Sequence, residues 1–289
     1  MRKIWLVTTD HLEEELWFRD EEDFKVGMNL VAILAACTPE VTVLAFILMS
    51  NHVHFVLKGT RKEVESFIIQ FKKRYSMYYQ KKWGANKFLR RIGVDIEEIP
   101  YDDEAEERAI AYVQMNCVAA NICAHPSQYL WGTGNCFFNQ TKPSGTRLKD
   151  MSARSRERIL HSNCDLLPGN WHIGPEGYIP PQEYVDVKAV EGIFRSPKRM
   201  NYFLNTSSKA RKRLASEEHL PAFRDQIILA ALPDLLRSLF GKDSFRELTD
   251  KEQPECMRQI RFRFSADVHQ IARVCGLSYA DAARIIDIV

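Results

Sequence analysis

Residues 41–57 form a nearly continuous apolar run that is interrupted once, by Ser50 and Asn51. Short apolar runs of this kind, bounded by polar residues, are typical of strands that are buried on both faces. The sequence therefore predicts two buried strands, at 41–48 and at 52–57, separated by a short polar break.

The segments around these strands alternate between strand and helix patterns. We expect a short strand at 4–8, helices at 22–37 and 61–83, a further strand within 87–99, and a third helix at 103–123. Gly84 would end the second helix, where glycine is a common residue. The order β–α–β–β–α–β–α predicts an α+β domain with a ferredoxin-like antiparallel sheet and packed helices. The order of strands within the sheet does not follow from this pattern.

Three regions are expected along the chain. The first domain would span residues 1–138, and residues 139–184, which are richer in Pro, Gly and Ser, would form a linker with some local structure. Residues 185–289 predict a mostly helical C-terminal domain. Within it, residues 268–286 resemble a helix-turn-helix whose second helix, at 280–289, would enter a major groove of DNA. A helical hairpin packed on the first domain explains the same pattern.

Composition excludes several classes of protein. The chain has 289 residues, of which 45% are hydrophobic and 27% charged, and these values are ordinary for a globular protein. The net charge of +2 argues neither for nor against nucleic acid. Seven scattered cysteines without a CxxC pair argue against a disulfide framework or a zinc ribbon. The apolar stretches are too short to span a bilayer, so we expect a cytoplasmic protein with no membrane partner.

Two histidines, His52 and His54, lie in the second of the two apolar strands. Residues i and i+2 of a strand point to the same face, about 7 Å apart at Cα, so both imidazoles could hold one metal ion. The alternative is a pair of hydrogen-bonded histidines without a ligand. The apolar flanks favour the metal site, because polar groups in such surroundings need a partner.

A second candidate group lies on the third predicted helix. Tyr112 and Asn116 would be one turn apart on the same helix face, which presents a phenol and an amide oxygen together. The alternative for Tyr112 is a tyrosine that packs on the core with its hydroxyl at the rim.

The region from 58 to 91 is rich in basic residues, with eleven Lys and Arg against two Glu. Basic side chains with interleaved aromatic rings are typical of proteins that bind single strands. A solvated helix face is the alternative. The candidate DNA-binding residues are Lys72, Lys73, Arg74, Lys81, Lys82, Lys87, Arg90 and Arg91.

Taken together, these features resemble a known family. The run at 48–57, which carries both histidines, resembles the signature of the HUH single-tyrosine transposases, and the closer similarity is to the REP-associated tyrosine transposases. Segments at 8–10, 18–24, 71–75, 111–120 and 125–134 agree in order and spacing. The resemblance covers roughly residues 3–138. Ser50 and Cys117 stand where the family has prolines, and the segment at 87–91 is reduced.

The resemblance implies the HUH nuclease fold and a role for each motif residue. His52, His54 and the side-chain oxygen of Asn116 would bind Mg²⁺ or Mn²⁺, and Tyr112 would be the nucleophile. The implied reaction is cleavage and rejoining of single-stranded or hairpin DNA through a 5′-phosphotyrosine. The C-terminal domain would contact duplex DNA, and the protein would be a monomer or a homodimer.

Two other functions fit the same residues. One is a DNA-binding regulator that kept the fold and lost strand cleavage. The other is a metal-dependent phosphoesterase in which water, rather than Tyr112, attacks at the His52 and His54 site. A covalent protein–DNA adduct that requires Tyr112 would distinguish the strand-cleaving transposase from both of these alternatives.

Overall fold

The computed structural model describes residues 2–12, 15–84, 89, 91–102, 104–208 and 223–286. These residues form a four-stranded antiparallel sheet with packed helices, which confirms the predicted α+β class. In chain order the elements are β1 Lys3–Thr9, α1 Glu21–Cys37, β2 Thr42–Met49, β3 His52–Gly59, α2 Arg61–Trp83, β4 Val94–Glu98, α3 Ala105–Gln114, α4 Asn116–Ala119, β5 Thr146–Arg147, α5 Ala153–Leu160, β6 His172–Ile173, α6 Val187–Phe194, α7 Pro197–Thr206, α8 Asp225–Phe240, α9 Glu252–Phe264, α10 Val268–Cys275 and α11 Tyr279–Ile286. Across the described ranges, no helix combines the length and the apolar character that crossing a bilayer requires.

Local sequence signals set the ends of the main elements. The apolar run at 41–57 forms the β2–β3 pair, and both strands are buried along nearly their whole length. At the start of α2, Thr60 and Glu63 satisfy each other's backbone N–H groups in a capping box. The same helix ends at Gly84, whose φ of 63° suits a residue without a Cβ. The predicted helix at 61–83 is therefore confirmed.

The helix predicted at 103–123 is instead broken into two. α3 ends at Gln114 and α4 begins at Asn116, with Met115 between them. The side-chain Nδ2 of Asn116 donates to the carbonyl oxygens of Tyr112 at 3.0 Å and of Val113 at 3.2 Å. The last carbonyl groups of a helix have no partner within the helix, and buried ones need a donor from elsewhere. The Asn116 amide supplies that donor at the end of α3.

The strand order of the sheet is β2-β3-β1-β4, so β3 lies between β2 and β1. All three pairings are antiparallel. Thr8 of β1 lies opposite His54, and Leu6 of the same strand lies opposite Glu97 of β4. Directly opposed residues share a face of the sheet and alternate residues of one strand share a face. His54, Thr8, Leu6 and Glu97 therefore lie on one face.

The two faces of the sheet are covered by different helices. Phe55 packs against Phe67 and Phe71 of α2, at ring-centroid distances of 5.8 and 5.5 Å. His54, the neighbour of Phe55 in β3, points to the opposite face and lies against Tyr112 of α3. The histidine pair and α2 are consequently on opposite sides of the sheet.

The segment 139–184, interpreted above as a linker, packs on the first hydrophobic core. Leu148, Ile173 and Ile179 are buried in that core. Buried Asn29 of α1 accepts from the backbone N–H of Ile179 at 3.0 Å and donates to the carbonyl of Ile159 at 3.2 Å. The first core continues through α6 and α7 as far as Leu204. The domain boundaries stay a prediction.

The C-terminal helices enclose a second hydrophobic core, which includes Ile228, Ile260 and Ile271. α10 and α11 are joined by the three residues 276–278, and Gly276 ends α10 with a φ of 68°. The helix-turn-helix pattern is thus present as two short helices. The second one begins at Tyr279 and reaches Ile286, whereas the predicted residues 287–289 lie outside the described part of the chain.

The aromatic packing between α2 and the sheet should dominate the stability of the first core. Phe71 is fully buried and contacts Trp17, Phe55 and Tyr75. We expect Phe71→Ala to lower the free energy of unfolding by about 3–5 kcal/mol, because it removes apolar contact and leaves a cavity. Ile69→Ala on the same helix is the matched control, since Ile69 is 58% exposed, and should change stability by less than about 0.5 kcal/mol. Urea unfolding measures both, and equal effects would contradict this account of the core.

Candidate metal and tyrosine site

The site begins with two imidazoles at the start of β3. His52 is 5% exposed and His54 is fully buried. Their ring centroids are 4.8 Å apart and the ring planes are nearly perpendicular, at 87°. The alternation of β3 places both rings on the face that α3 covers, as the two-residue spacing predicted.

Asn51 fixes the tautomer of His52. The Asn51 Nδ2 donates to the carbonyl of Leu12 at 2.9 Å, so its Oδ1 is the atom that faces His52 Nδ1, also at 2.9 Å. An amide oxygen can only accept, and His52 Nδ1 must therefore carry the proton. In the neutral ring the lone pair is then on Nε2. Histidines that bind metal commonly have this arrangement, in which one ring nitrogen donates to an outer partner and the other binds the ion.

Thr8 holds His54 in the same manner. Its Oγ1 lies 2.9 Å from His54 Nδ1, and the pairing of β1 with β3 puts the two residues opposite each other. A hydroxyl can donate or accept, so this contact fixes the orientation of the ring rather than its tautomer. Both strand histidines are thus oriented by a hydrogen bond at Nδ1.

His11 is the third member of the cluster, and the sequence analysis missed it. Its ring is exposed and stacks on His52, with centroids 3.6 Å apart and planes 15° from parallel. One ligand-type nitrogen from each of the three histidines lies within 4.8 Å of the others, and the described residues contain no other such group of three His, Cys, Asp or Glu side chains. Once β1 is known to pair with β3, a residue just past the end of β1 is expected near His52.

The donor set suits a metal ion after a small movement. Two nitrogens that bind one ion at about 2.1 Å lie no more than about 4.2 Å apart. Parallel stacked rings direct their in-plane lone pairs side by side, so His11 has to turn about its side-chain bonds to share an ion with His52. Because His11 is exposed, its ring has room for that rotation.

Tyr112 lies beside this cluster. Its ring centroid is 5.6 Å from that of His54, with the planes at 83°. The ring is half-buried. Burial, and then the negative charge of Glu97, raise the pKa of Tyr112 above its ordinary value. The family resemblance implies that Tyr112 lies beside the paired imidazoles, and its ring does contact that of His54.

Asn116, predicted from the family resemblance to be a metal ligand, is 4% exposed. Its amide nitrogen is engaged by the two carbonyls at the break between α3 and α4. These bonds to the main chain of α3 give Asn116 a structural role. Its role as a ligand through the side-chain oxygen stays a prediction.

The structure corrects the placement of Lys72 among the DNA-binding candidates. Lys72 is 9% exposed, and its Nζ donates to the carbonyl of Ile92. Burial lowers its pKa below the ordinary value for lysine. The residue lies on the core side of α2, so its charge is not presented to a nucleic acid.

The ammonium group of Lys82 forms ion pairs within the protein. Its Nζ lies 2.7 Å from Asp20 and 2.8 Å from Asp23. Lys73, Lys81 and Arg91 are exposed and Arg74 is half-buried, whereas Lys87 and Arg90 lie outside the described residues. Since α2 covers the face of the sheet opposite the imidazoles, its basic residues do not border Tyr112. Their contact with DNA stays a prediction.

Three further tyrosines that could act as nucleophiles, Tyr75, Tyr78 and Tyr79, belong to α2. The Tyr75 hydroxyl donates to the carbonyl of Trp17, and the Tyr78 hydroxyl donates to Asp23 at 2.9 Å. Burial raises the pKa of Tyr79 to about 12. All three lie across the sheet from the histidines, which favours Tyr112 as the tyrosine that can react at the cluster.

The charge of Glu97 gives a test of the surroundings of Tyr112. A phenolate is negative, so a nearby carboxylate raises the phenol pKa and its neutralisation must lower it. We expect Tyr112 to titrate at a lower pH in metal-free Glu97→Gln than in the metal-free wild type. The measurement is the tyrosinate absorbance of each protein minus that of its Tyr112→Phe counterpart.

Glu98→Gln is the matched control for this titration. Glu98 lies opposite Trp5, on the other face of the sheet, and pairs with Lys3 at 2.6 Å. We expect it to leave the Tyr112 titration where it is in the wild type. An equal shift in both variants would show that Glu97 has no specific effect on the phenol.

No family model, no curated protein and no solved structure matches this chain. A function therefore has to be argued from the imidazole cluster and Tyr112 themselves.

Proposed function

We propose that this protein is a metal-dependent enzyme that cleaves and rejoins DNA strands, with Tyr112 as the nucleophile. The observation that carries the proposal is the contact between Tyr112 on α3 and His54 on β3, whose rings lie 5.6 Å apart. Two chain segments that are distant in sequence thus bring a phenol to a group of metal-ligand side chains. This is the pairing on which single-tyrosine strand transfer depends.

The architecture supports the same proposal. The elements up to β4 follow the order β–α–β–β–α–β, and the histidine pair lies on β3, inside the sheet rather than at its edge. This order is that of a ferredoxin-like sheet, and we propose that it is the HUH nuclease fold which the sequence motifs resemble. α3, which carries the tyrosine, lies over the histidine face.

The proposed ion is Mg²⁺ or Mn²⁺, and imidazole ligands favour Mn²⁺ of the two. His52 and His54 would hold it, with His11 as the third ligand that the grouping of side chains favours. A bound divalent cation supplies positive charge that polarises a nonbridging phosphate oxygen and orients the phosphate. Asn51 and Thr8 keep the ligand rings oriented before any ion arrives.

In the proposed reaction, the Tyr112 hydroxyl oxygen attacks the phosphorus of a DNA phosphodiester. The bond from phosphorus to the 3′ oxygen breaks, the phenol gives up its proton, and the 3′ oxygen leaves as a hydroxyl after it takes up a proton. The 5′ phosphate stays on Tyr112 as an ester, so the reverse attack by a 3′ hydroxyl needs no ATP. A tyrosine phenol is ordinarily protonated at neutral pH. Burial raises the pKa of Tyr112 further, so a nearby cation has to favour the loss of its proton.

Single-stranded or hairpin DNA in the cytoplasm is the proposed substrate. Exposed His11 leaves the cluster open to solvent on its side, where a strand can approach. The α10–α11 pair is proposed to contact duplex DNA beside the cleavage site. The basic residues of α2 lie across the sheet, so other groups have to form the path of the strand at Tyr112.

A water-using phosphoesterase is the second candidate, and the grouping of three histidines favours it. Three protein ligands leave positions open on a metal ion, as in catalytic metal sites that hydrolyse esters. Water would then attack phosphorus in place of Tyr112. This function predicts turnover without a covalent adduct.

Metal titration tests which side chains form the site. We expect the full chain to bind Mn²⁺, and His11→Ala to weaken binding by at least about 10-fold, because loss of a ligand exceeds the effect of losing an outer partner. His125→Ala is the control, since His125 is exposed and lies outside the cluster. Paramagnetic resonance of free Mn²⁺ measures each affinity. Weaker Mn²⁺ binding in Asn116→Ala, together with unchanged binding in His11→Ala, would indicate that Asn116 rather than His11 is the third ligand.

Covalent adduct formation tests the nucleophile. With Mn²⁺ and a library of hairpin-bearing single strands, we expect the wild type to form a protein–DNA adduct on a denaturing gel and Tyr112→Phe to form none. Tyr101→Phe is the matched control, because Tyr101 is fully exposed and outside the cluster, and it should form the adduct. An adduct formed by Tyr112→Phe would show that Tyr112 is not the nucleophile. Cleavage without adduct would favour the phosphoesterase, and binding without cleavage the regulator.

A further inference from the structure

A buried carboxylate at the start of α8 links the C-terminal helices to the turn before the metal-site strand. Asp225 is 3% exposed. Its Oδ2 accepts a hydrogen bond of 2.7 Å from the hydroxyl of Ser50, which lies between β2 and β3. This contact joins the second hydrophobic core to the residue two positions before His52.

The Asp225 carboxylate is held in place from its own side. Arg273 of α10 donates through Nε to Oδ2 at 3.0 Å and through a terminal nitrogen to Oδ1 at 3.3 Å. Gln270 of the same helix donates to Oδ1 at 3.1 Å. A buried charge needs such partners, and two donors from one helix fix the direction of the carboxylate. α10 thereby sets the position of the acceptor that Ser50 uses.

The turn that Ser50 occupies also holds the metal-site histidines. The carbonyl of Ser50 accepts from the backbone N–H of Trp17 at 2.8 Å, and the carbonyl of Asn51 accepts from that of Leu12 at 3.1 Å. Asn51 in turn orients His52 through Oδ1. Leu12 follows His11 directly in the chain. A displacement of this turn therefore acts on His52 through Asn51 and on His11 through Leu12.

We propose that Asp225 is a positioning residue for the metal site, and that the C-terminal helical unit sets the metal affinity of that site through Ser50. The inference rests on the proposed function, since it assigns regulation to the same histidine cluster. Ser50 replaces the proline of the family that the sequence resembles, and its hydroxyl provides a contact that proline cannot make. An event that moves α8 or α10, such as binding of duplex DNA by α10 and α11, would then alter the geometry of His11 and His52.

The test removes the link without leaving a buried charge unpaired. Ser50→Ala in the full chain deletes the hydroxyl and keeps Asp225 bound to Arg273, whereas a change at Asp225 would strand Arg273 and endanger folding. We expect Ser50→Ala to bind Mn²⁺ about 10-fold more weakly than the wild type, in the range found for lost outer-shell partners. Without metal its melting temperature should fall by only a few degrees, because Asp225 loses one hydrogen bond but keeps those from Arg273 and Gln270. Ser50→Thr keeps a hydroxyl and should restore the affinity. Ser238→Ala is the control, because the Ser238 hydroxyl bonds within α8, to Leu235.

Equal Mn²⁺ affinity in Ser50→Ala and the wild type would overturn the inference, as would a Ser50→Thr protein that binds no better than Ser50→Ala. The readout is metal binding, so it separates this inference from the proposed reaction. A wild type that binds Mn²⁺ but forms no adduct counts against strand transfer alone, and the effect of Ser50→Ala still decides the role of Asp225. A wild type that binds no Mn²⁺ overturns both.

Discussion

The structure depends on one constraint, which is that two polar rings are placed in a strand that is buried on both faces. His52 and His54 would be costly in such a strand without hydrogen-bonding partners. Those partners come from the turn, through Asn51, and from the neighbouring strand, through Thr8. The pairing of β1 with β3 and the conformation of the β2–β3 turn are therefore part of the site as much as of the fold.

The same constraint explains why the surrounding segments converge here. The histidine face of the sheet has to be covered, and α3 covers it with the half-buried ring of Tyr112. The turn has to be held, and the backbone around Leu12 and Trp17 holds it. The helical C-terminal unit adds Asp225 to the same turn. A site built from a strand, a turn and two separate packing units is sensitive to changes in any of them.

The sequence was sufficient for the strands and helices up to β4 and for the placement of the paired histidines on one strand. Apolar runs predicted the β2–β3 pair, and the helical spacing at 61–83 with Gly84 after it marked α2, because both signals depend on neighbouring residues alone. His11 could not be predicted, because its position follows from the strand order β2-β3-β1-β4, which is a property of the whole sheet. The prediction that Lys72 contacts DNA was wrong for a related reason. A count of charges along a helix does not show which of them faces the core.

Non-local packing also accounts for the remaining differences. The Pro- and Gly-rich segment 139–184 has a composition typical of a linker, yet it buries Ile173 and Ile179 in the first hydrophobic core. A hydrogen bond to Asn29 of α1 satisfies the backbone N–H of Ile179 there. The break after Gln114 is likewise invisible in the periodicity, because Met115 and Asn116 are acceptable helix residues. Its stability comes from an amide that binds the carbonyls of its own chain.

That amide has a consequence for how the spacing of Tyr112 and Asn116 is interpreted. Asn116 bonds through its amide nitrogen to the main chain, and this contact needs no ion. An asparagine one turn after a tyrosine is thus explained by the interruption of the helix, and the spacing of these two residues is not by itself a sign of a metal ligand.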